Sequence, residues 1–281
     1  MMCHCAGTPA SPPVQADRSP TPAYAPLRAP EESSPALFPA PASVVWQRVS
    51  PVKSQPLASG PDYYEFQAHS AQEAADIEVV IFDDTQATLR VLDQPSAYAG
   101  SWAMASLMRE AGAIAGVNGG FFHPDFTPLG LMIADGRKTG TFTRTSLVSG
   151  AVLVTNSKPR LLWNHEFPGE QAVTQMLQAG PRLVDRSQPL ASLNRTKAAT
   201  RTFIATDGGH RWAIGTVRST SLAGLAELLA SPRILPGMQV HRALNLDGGR
   251  STALYARRAD GTEISRTGWS TVRNYLAVVP R

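Results

Sequence analysis

Strand-like runs recur along this chain with few helical stretches between them, and that pattern governs what it can fold into. Parallel neighbours need a long crossover, usually a helix, between each pair of strands. Here most runs succeed one another across short breaks rich in Gly, Asp and Asn. The expected class is α+β, with mixed, mostly antiparallel sheets and few helices. Strand patterns lie at Val44–Val49, Tyr63–Ala68, Ile77–Asp83 and Ala87–Leu92, the last two reading as a hairpin. Further runs lie at Ala113–Val117, Leu129–Arg137, Ala151–Val154, Arg160–Trp163, Arg182–Val184 and Val272–Val279. Arg201–Thr206 and Arg211–Val217, joined by Asp207-Gly208-Gly209-His210, make the cleanest hairpin, with Asp207 as its turn residue. Helical spacing appears at Ser101–Ala111, stopped by Gly112, and at Ser221–Leu229, capped by Thr220 or Ser221. A short helix is expected over Gln171–Gln178, ahead of Gly180-Pro181.

Residues 1–42 carry ten of the 23 prolines, with Ala and Ser between them. Such a segment buries too little apolar surface to offset its ordering entropy, so it reads as a disordered linker preceding a domain at 43–281. Both cysteines, Cys3 and Cys5, fall inside it, which leaves the domain without a disulfide, thiol nucleophile or thiolate metal site. From Cys5 onward the segment looks like the start of a mature bacterial lipoprotein, which begins at its lipidated cysteine. The expectation is an exported, envelope-attached protein whose true N-terminus lies upstream, tethered to the membrane there only. A net charge of +4 without a Lys/Arg run gives no footprint for nucleic acid.

The chemistry concentrates in Ala243–Leu254. Leu244 and Leu246 share one face of a strand, and Asn245 and Asp247 share the other. Gly248 and Gly249 then open the backbone to close approach, and Arg250, Ser251 and Thr252 come next. A carboxylate, an amide, bare N–H donors and hydroxyls are the parts needed to bind a phosphate and move a proton beside it. Asp-Gly between apolar runs is equally the signature of a hairpin turn. A second break, Val117-Asn118-Gly119-Gly120-Phe121-Phe122, fits a hairpin less well, because the two aromatics do not continue the alternation.

Those two blocks, with Gln178-Ala179-Gly180-Pro181-Arg182-Leu183-Val184, Arg201-Thr202 and Arg273-Asn274, occur in an order that resembles the phosphodiester glycosidase domain family. The likeness covers roughly residues 70–281 and is strongest over 113–281. It implies a hydrolase that cleaves a sugar from a phosphodiester at the anomeric C–O bond, in a bacterial glycan or glycoconjugate. It implies Asp247, Asn245 and Asn118 as the catalytic group. It implies Arg201, Thr202, Gly248, Gly249, Ser251, Arg273 and Asn274 as the substrate and phosphate contacts. No cofactor is assigned; a divalent cation on carboxylates and carbonyls is compatible with these residues but has no assigned ligands. Arg250 stands where the family has a third glycine, so it either fills substrate space or adds a phosphate contact. The alternative function is a non-catalytic module that binds phosphorylated or acidic envelope glycans.

Overall fold

The computed structural model describes residues 45–281. The expected linker at 1–42, both cysteines and Val44 lie outside the described residues. Three sheets form the body. The largest has nine strands, ordered Gln47–Arg48, Asp62–His69, Ala74–Asp83, Arg211–Thr220, Ala199–Thr206, Arg242–Asn245, Arg182–Asp185 and Gln188–Pro189, with Lys53–Pro56 also on Asp62–His69. A second runs Lys158–Trp163, Gly150–Thr155, Val173–Ala179, Met132–Ala134 and Arg137–Thr139. The third runs Glu263–Arg266, Leu254–Arg257, Ala115–Asn118, Asn274–Pro280 and Ala87–Asp93. Every pairing among these strands is antiparallel.

Alternation explains how the sheets share one core. In Ala74–Asp83, Val80 and Phe82 face inward with Ile204, Val117, Leu276 and Val152 from all three sheets. Ile77, Val79 and Ile81 face out, beneath Leu225, Leu228 and Leu229 of the helix Leu222–Ala230. The helix Ala103–Glu110 covers the third sheet with Met104 and Met108. Stacked Phe142 and Phe167, 4.6 Å apart, pack against the second sheet's outer face.

Three expectations need correction. Gln171–Gln178 is not a helix; Val173–Ala179 is the central strand of the second sheet. That strand is buried on both faces, so its alternation is lost. Its polar members serve neighbours: Gln175 accepts from Val91 N–H (3.0 Å) and donates to Asp135 (2.8 Å). Ala74–Asp83 and Ala87–Asp93 do not form a hairpin, because the turn between them carries the chain from the largest sheet to the third. At Val44–Val49, only Gln47–Arg48 pairs as a strand; Trp46 is buried while Val45 and Val49 stay exposed at the sheet edge.

The second helix starts where Ser221 caps the Gly224 N–H at 2.9 Å. Glu73 reinforces that start, accepting from the Thr220 hydroxyl (2.7 Å), the Ser221 hydroxyl (2.6 Å) and the Ser221 N–H (3.1 Å). A carboxylate there also faces the positive end of the helix. Glu73→Ala is expected to lower stability by about 1–3 kcal/mol, read as the urea midpoint at constant slope. An unchanged midpoint would show that this clamp contributes nothing.

Candidate functional site

The separated blocks meet around Asn118. It closes the strand Ala115–Asn118 and is fully buried. Its Nδ2 donates to the Asp247 carbonyl at 2.7 Å. Its Oδ1 accepts from the Thr202 hydroxyl (2.8 Å) and the Ala253 N–H (3.0 Å). One amide thus ties the third sheet to the largest and grips both ends of the turn after Asp247.

The two glycines beyond Asn118 extend the junction. The Gly119 carbonyl accepts from Asp247 N–H, and Gly119 N–H donates to the Asn274 carbonyl, both at 2.9 Å. Gly120 N–H donates to Asn274 Oδ1 at 2.8 Å. A Cβ on Gly119 would fall on that Oδ1, and one on Gly120 would lie 2.8 Å from the Gln178 carbonyl. Close backbone approach, and not a hairpin, is what these glycines permit.

Asn245 ends the strand Arg242–Asn245, and Asp247 lies in the bend just past it. Asn245 Nδ2 donates to the carbonyls of Gly180 (2.8 Å) and Leu246 (2.7 Å), and the Gly180–Pro181 bond beside it is cis. Asn245 Oδ1 and Asn274 Nδ2 are buried without a hydrogen-bond partner among the described residues. Buried orphans of this kind are uncommon and call for an explanation.

Asp247 is half-buried. Burial raises its carboxyl above the ordinary aspartate value, and bonds from the Ser251 hydroxyl and Gly248 N–H oppose that rise. The hairpin alternative fails at this point. Gly248 is extended (φ −130°, ψ −164°) and leads into a single 3₁₀ turn, Gly249–Ser251. The Gly248 N–H, expected to face phosphate, donates to Asp247 Oδ1 at 2.9 Å. Gly248 also passes close to the neighbouring strand: a Cβ there would lie 2.9 Å from the Thr200 carbonyl.

The two arginines differ. Arg201 is half-buried; its Nε and Nη2 donate to the carbonyls of Thr220 (3.2 Å) and Lys197 (2.6 Å). Desolvation lowers its pKa, and among the described residues no carboxylate bonds it. Arg273 is buried and ion-paired with Asp93, with its guanidinium 6.0 Å from the Phe126 ring centroid. The sequence did not mark Asp93, which faces Asn274 only through strand register. Gln178, which opens one of the blocks that carry the likeness but was given no role, holds Leu131 and Thr143 with its amide through bonds of 2.9 to 3.0 Å. His123, which follows the two aromatics, is exposed. Asp207 is a turn residue as expected, accepting from Gly209 N–H at 2.7 Å.

Among the described residues, Asp83, Asp84 and His210 bring potential metal-ligand atoms within 4.8 Å of one another. They lie at the far end of the Ala199–Thr206 hairpin from Thr202. Asp83 already accepts from Thr85, and Asp84 is bonded to His210 (2.7 Å) and Trp212 (3.4 Å).

Residues 111–279 match the family model described as phosphodiester glycosidase. No curated protein matches the chain. Among solved structures, a hypothetical protein from Synechocystis aligns with a TM-score of 0.56 at 16% identity, covering 83% of this chain and 64% of that one. The zebrafish N-acetylglucosamine-1-phosphodiester alpha-N-acetylglucosaminidase catalytic domain, auto-inhibited by its pro-peptide, aligns with a TM-score of 0.52 at 14% identity, covering 86% of each chain. At these identities the likeness is one of fold.

Proposed function

Since this chain belongs to the phosphodiester glycosidase family, we propose that it hydrolyses a sugar-1-phosphodiester at the glycosidic C–O bond, with Asp247 as its catalytic carboxylate. The observation that carries the reading is the junction itself. Asn118, Thr202, Asp247 and Asn274 come from four segments and join through Asn118 and the Gly119–Gly120 backbone.

Within this reading Asp247 is the base. It takes a proton from water as the water oxygen bonds to the anomeric carbon and the C–O bond breaks. The electron pair leaves on the phosphate oxygen. A phosphomonoester is a weak base, so its departure needs little protonation, and one carboxylate suffices where most glycosidases use two. A carboxyl raised by burial is a stronger base than an exposed aspartate. Asn118 and Asn245 hold the backbone on either side of Asp247, and Asn274 fixes Gly120.

Arg201 is the better anion ligand of the two arginines. Guanidinium has five N–H donors, and the two carbonyl bonds leave others for phosphate. Arg273 already has Asp93 as a counter-ion. Gly249 and Ser251 complete the proposed substrate contacts, while Thr202 and Arg273, buried and already partnered by Asn118 and Asp93, serve the scaffold instead. The sugar, the glycan source and an envelope location belong to the same proposal. Among the described residues, no helix is long and apolar enough to cross a membrane.

Turnover of a panel of sugar-1-phosphodiesters, with phosphomonoester release as the readout, tests this. Arg201→Ala is expected to lower kcat/KM by about tenfold to a hundredfold. Unaltered kcat/KM would remove Arg201 from the site. Saturable binding of phosphorylated glycans without turnover on the panel would favour the binding-module alternative.

A further inference from the structure

The face of Ala74–Asp83 that carries Val80 and Phe82 runs on, at its other end, into Glu78 and Asp76. Glu78 lies opposite Thr216, and Thr216 opposite Thr202, so this patch stands two strands away from the junction around Asn118. A cavity of about 310 Å³ opens over it, lined by Lys53, Glu65, Gln67, Asp76, Glu78 and Arg218. That is the small end of the range for ligand pockets. Phe66 and Ile77 turn their side chains to the opposite face, into the core under the helix Leu222–Ala230, so the cavity floor is polar. Glu78 is 5% exposed. Its Oε1 accepts from the Tyr63 hydroxyl (2.6 Å) and from Arg266 Nε (3.0 Å). Its Oε2 has no hydrogen bond among the described residues. Arg218 Nη2 approaches it only to 4.0 Å, too far for a hydrogen bond, and the Arg218 side chain bonds nothing else among the described residues.

From these observations we infer that the cavity is a second ligand site, and that its ligand is the zwitterion of a small α-amino acid. The carboxylate lies on Arg218, and the ammonium lies between Glu78 Oε2 and Asp76. The site is separate from the hydrolase reading and does not depend on it. Charge balance selects the zwitterion. Glu65 and Glu78 stand directly opposite each other as like charges, offset by Lys53 on Glu65 (3.3 Å) and Arg266 on Glu78 (3.0 Å). Asp76 accepts from the neutral Gln67 amide (2.7 Å) and faces Arg218 in the register. The carboxylates of Glu65, Asp76 and Glu78 thus balance the cations Lys53, Arg218 and Arg266, so the wall favours neither a lone anion nor a lone cation. What stays unsatisfied is one donor group and one carboxylate oxygen across a 4.0 Å gap. An α-amino acid carries both complements on a single carbon, and a guanidinium grips a carboxylate through two parallel N–H bonds. A metal ion does not fit: among the described residues, only Asp83, Asp84 and His210 bring three ligand atoms within 4.8 Å of one another. The polar floor offers no slot for a large apolar side chain, which limits the ligand to a small one.

Chemical-shift titration of the ¹⁵N-labelled full chain with glycine, glycinamide and acetate tests this without relying on turnover. Glycine is expected to shift the amides of the lining residues and to bind at least about tenfold more tightly than either glycinamide, which lacks the carboxylate, or acetate, which lacks the ammonium. Arg218→Ala, at an exposed side chain, should bring glycine down to the level of glycinamide and leave glycinamide within about twofold of its parent affinity. Glu78→Gln should bring glycine down to the level of acetate; should that variant fail to fold, Arg218→Ala still decides the matter. Equal affinities for glycine and acetate would reveal a plain anion contact and overturn the inference. Equal affinities for glycine and glycinamide would reveal a plain cation contact and overturn it too. Shifts away from the lining residues, none at all, or glycine binding indifferent to Arg218→Ala would likewise overturn it.

Discussion

Asp247→Asn is expected to reduce turnover of a sugar-1-phosphodiester by about a hundredfold to ten-thousandfold, the range for losing a positioned proton-transfer group. The fold should meanwhile be as stable as the parent at neutral pH, or more stable. Burial sets the sign. The folded-state carboxyl titrates above its unfolded value. Ionising it therefore destabilises the folded state progressively as pH rises from the unfolded value through the folded one. Asparagine removes that charge and still offers an oxygen to the Gly248 N–H, which bonds Asp247 Oδ1 at 2.9 Å. Its stability advantage should vanish on acidification below the unfolded value. In the parent, kcat/KM should rise with pH through a midpoint above the ordinary aspartate value, and the residual activity of the variant should lack that limb. Thermal melts and pH–rate profiles on both proteins check each part. An Asn variant that melts lower at neutral pH and keeps the acid limb would count against Asp247 as the buried base.

Asn118→Ala should give the largest loss of stability, about 3–5 kcal/mol. The side chain is fully buried and makes three hydrogen bonds, to the Asp247 carbonyl, the Thr202 hydroxyl and the Ala253 N–H. Truncation leaves all three partners buried and unpaired, and each such group costs about 1–3 kcal/mol before relaxation or entering water offsets part of it. Thr202 belongs to the largest sheet, and Asp247 and Ala253 to the two ends of the turn that follows Asp247, so activity should fall with stability. Denaturant unfolding followed by tryptophan fluorescence measures the effect. A loss under about 1 kcal/mol would mean that the junction is held elsewhere.

Much of this junction was legible in the sequence, and the reasons are local. Alternation through Leu244, Asn245, Leu246 and Asp247 assigned the faces of the strand: Leu244 and Leu246 lie in the shared core, and Asn245 bonds outside it to Gly180. The hairpin at 201–217 was visible because two strand-forming runs flank the turn signal Asp207-Gly208-Gly209-His210. The strand Val173–Ala179 was not, because burial on both faces erases the period and its glutamines read as surface. The turn at 84–86 gives no sign that it changes sheets. Long-range pairs were invisible for a related reason. Nothing near Asp93 announces Arg273, since only the register of Ala87–Asp93 against Asn274–Pro280 brings them together. Nor could spacing tell that Arg201 would spend two donors on the carbonyls of Lys197 and Thr220.

Hydrolysis in ¹⁸O-labelled water, with mass analysis of both products, tests the central claim most directly. The account predicts the label on the anomeric hydroxyl of the released sugar and an unlabelled phosphomonoester. Label in the phosphate would place the attack at phosphorus and contradict it.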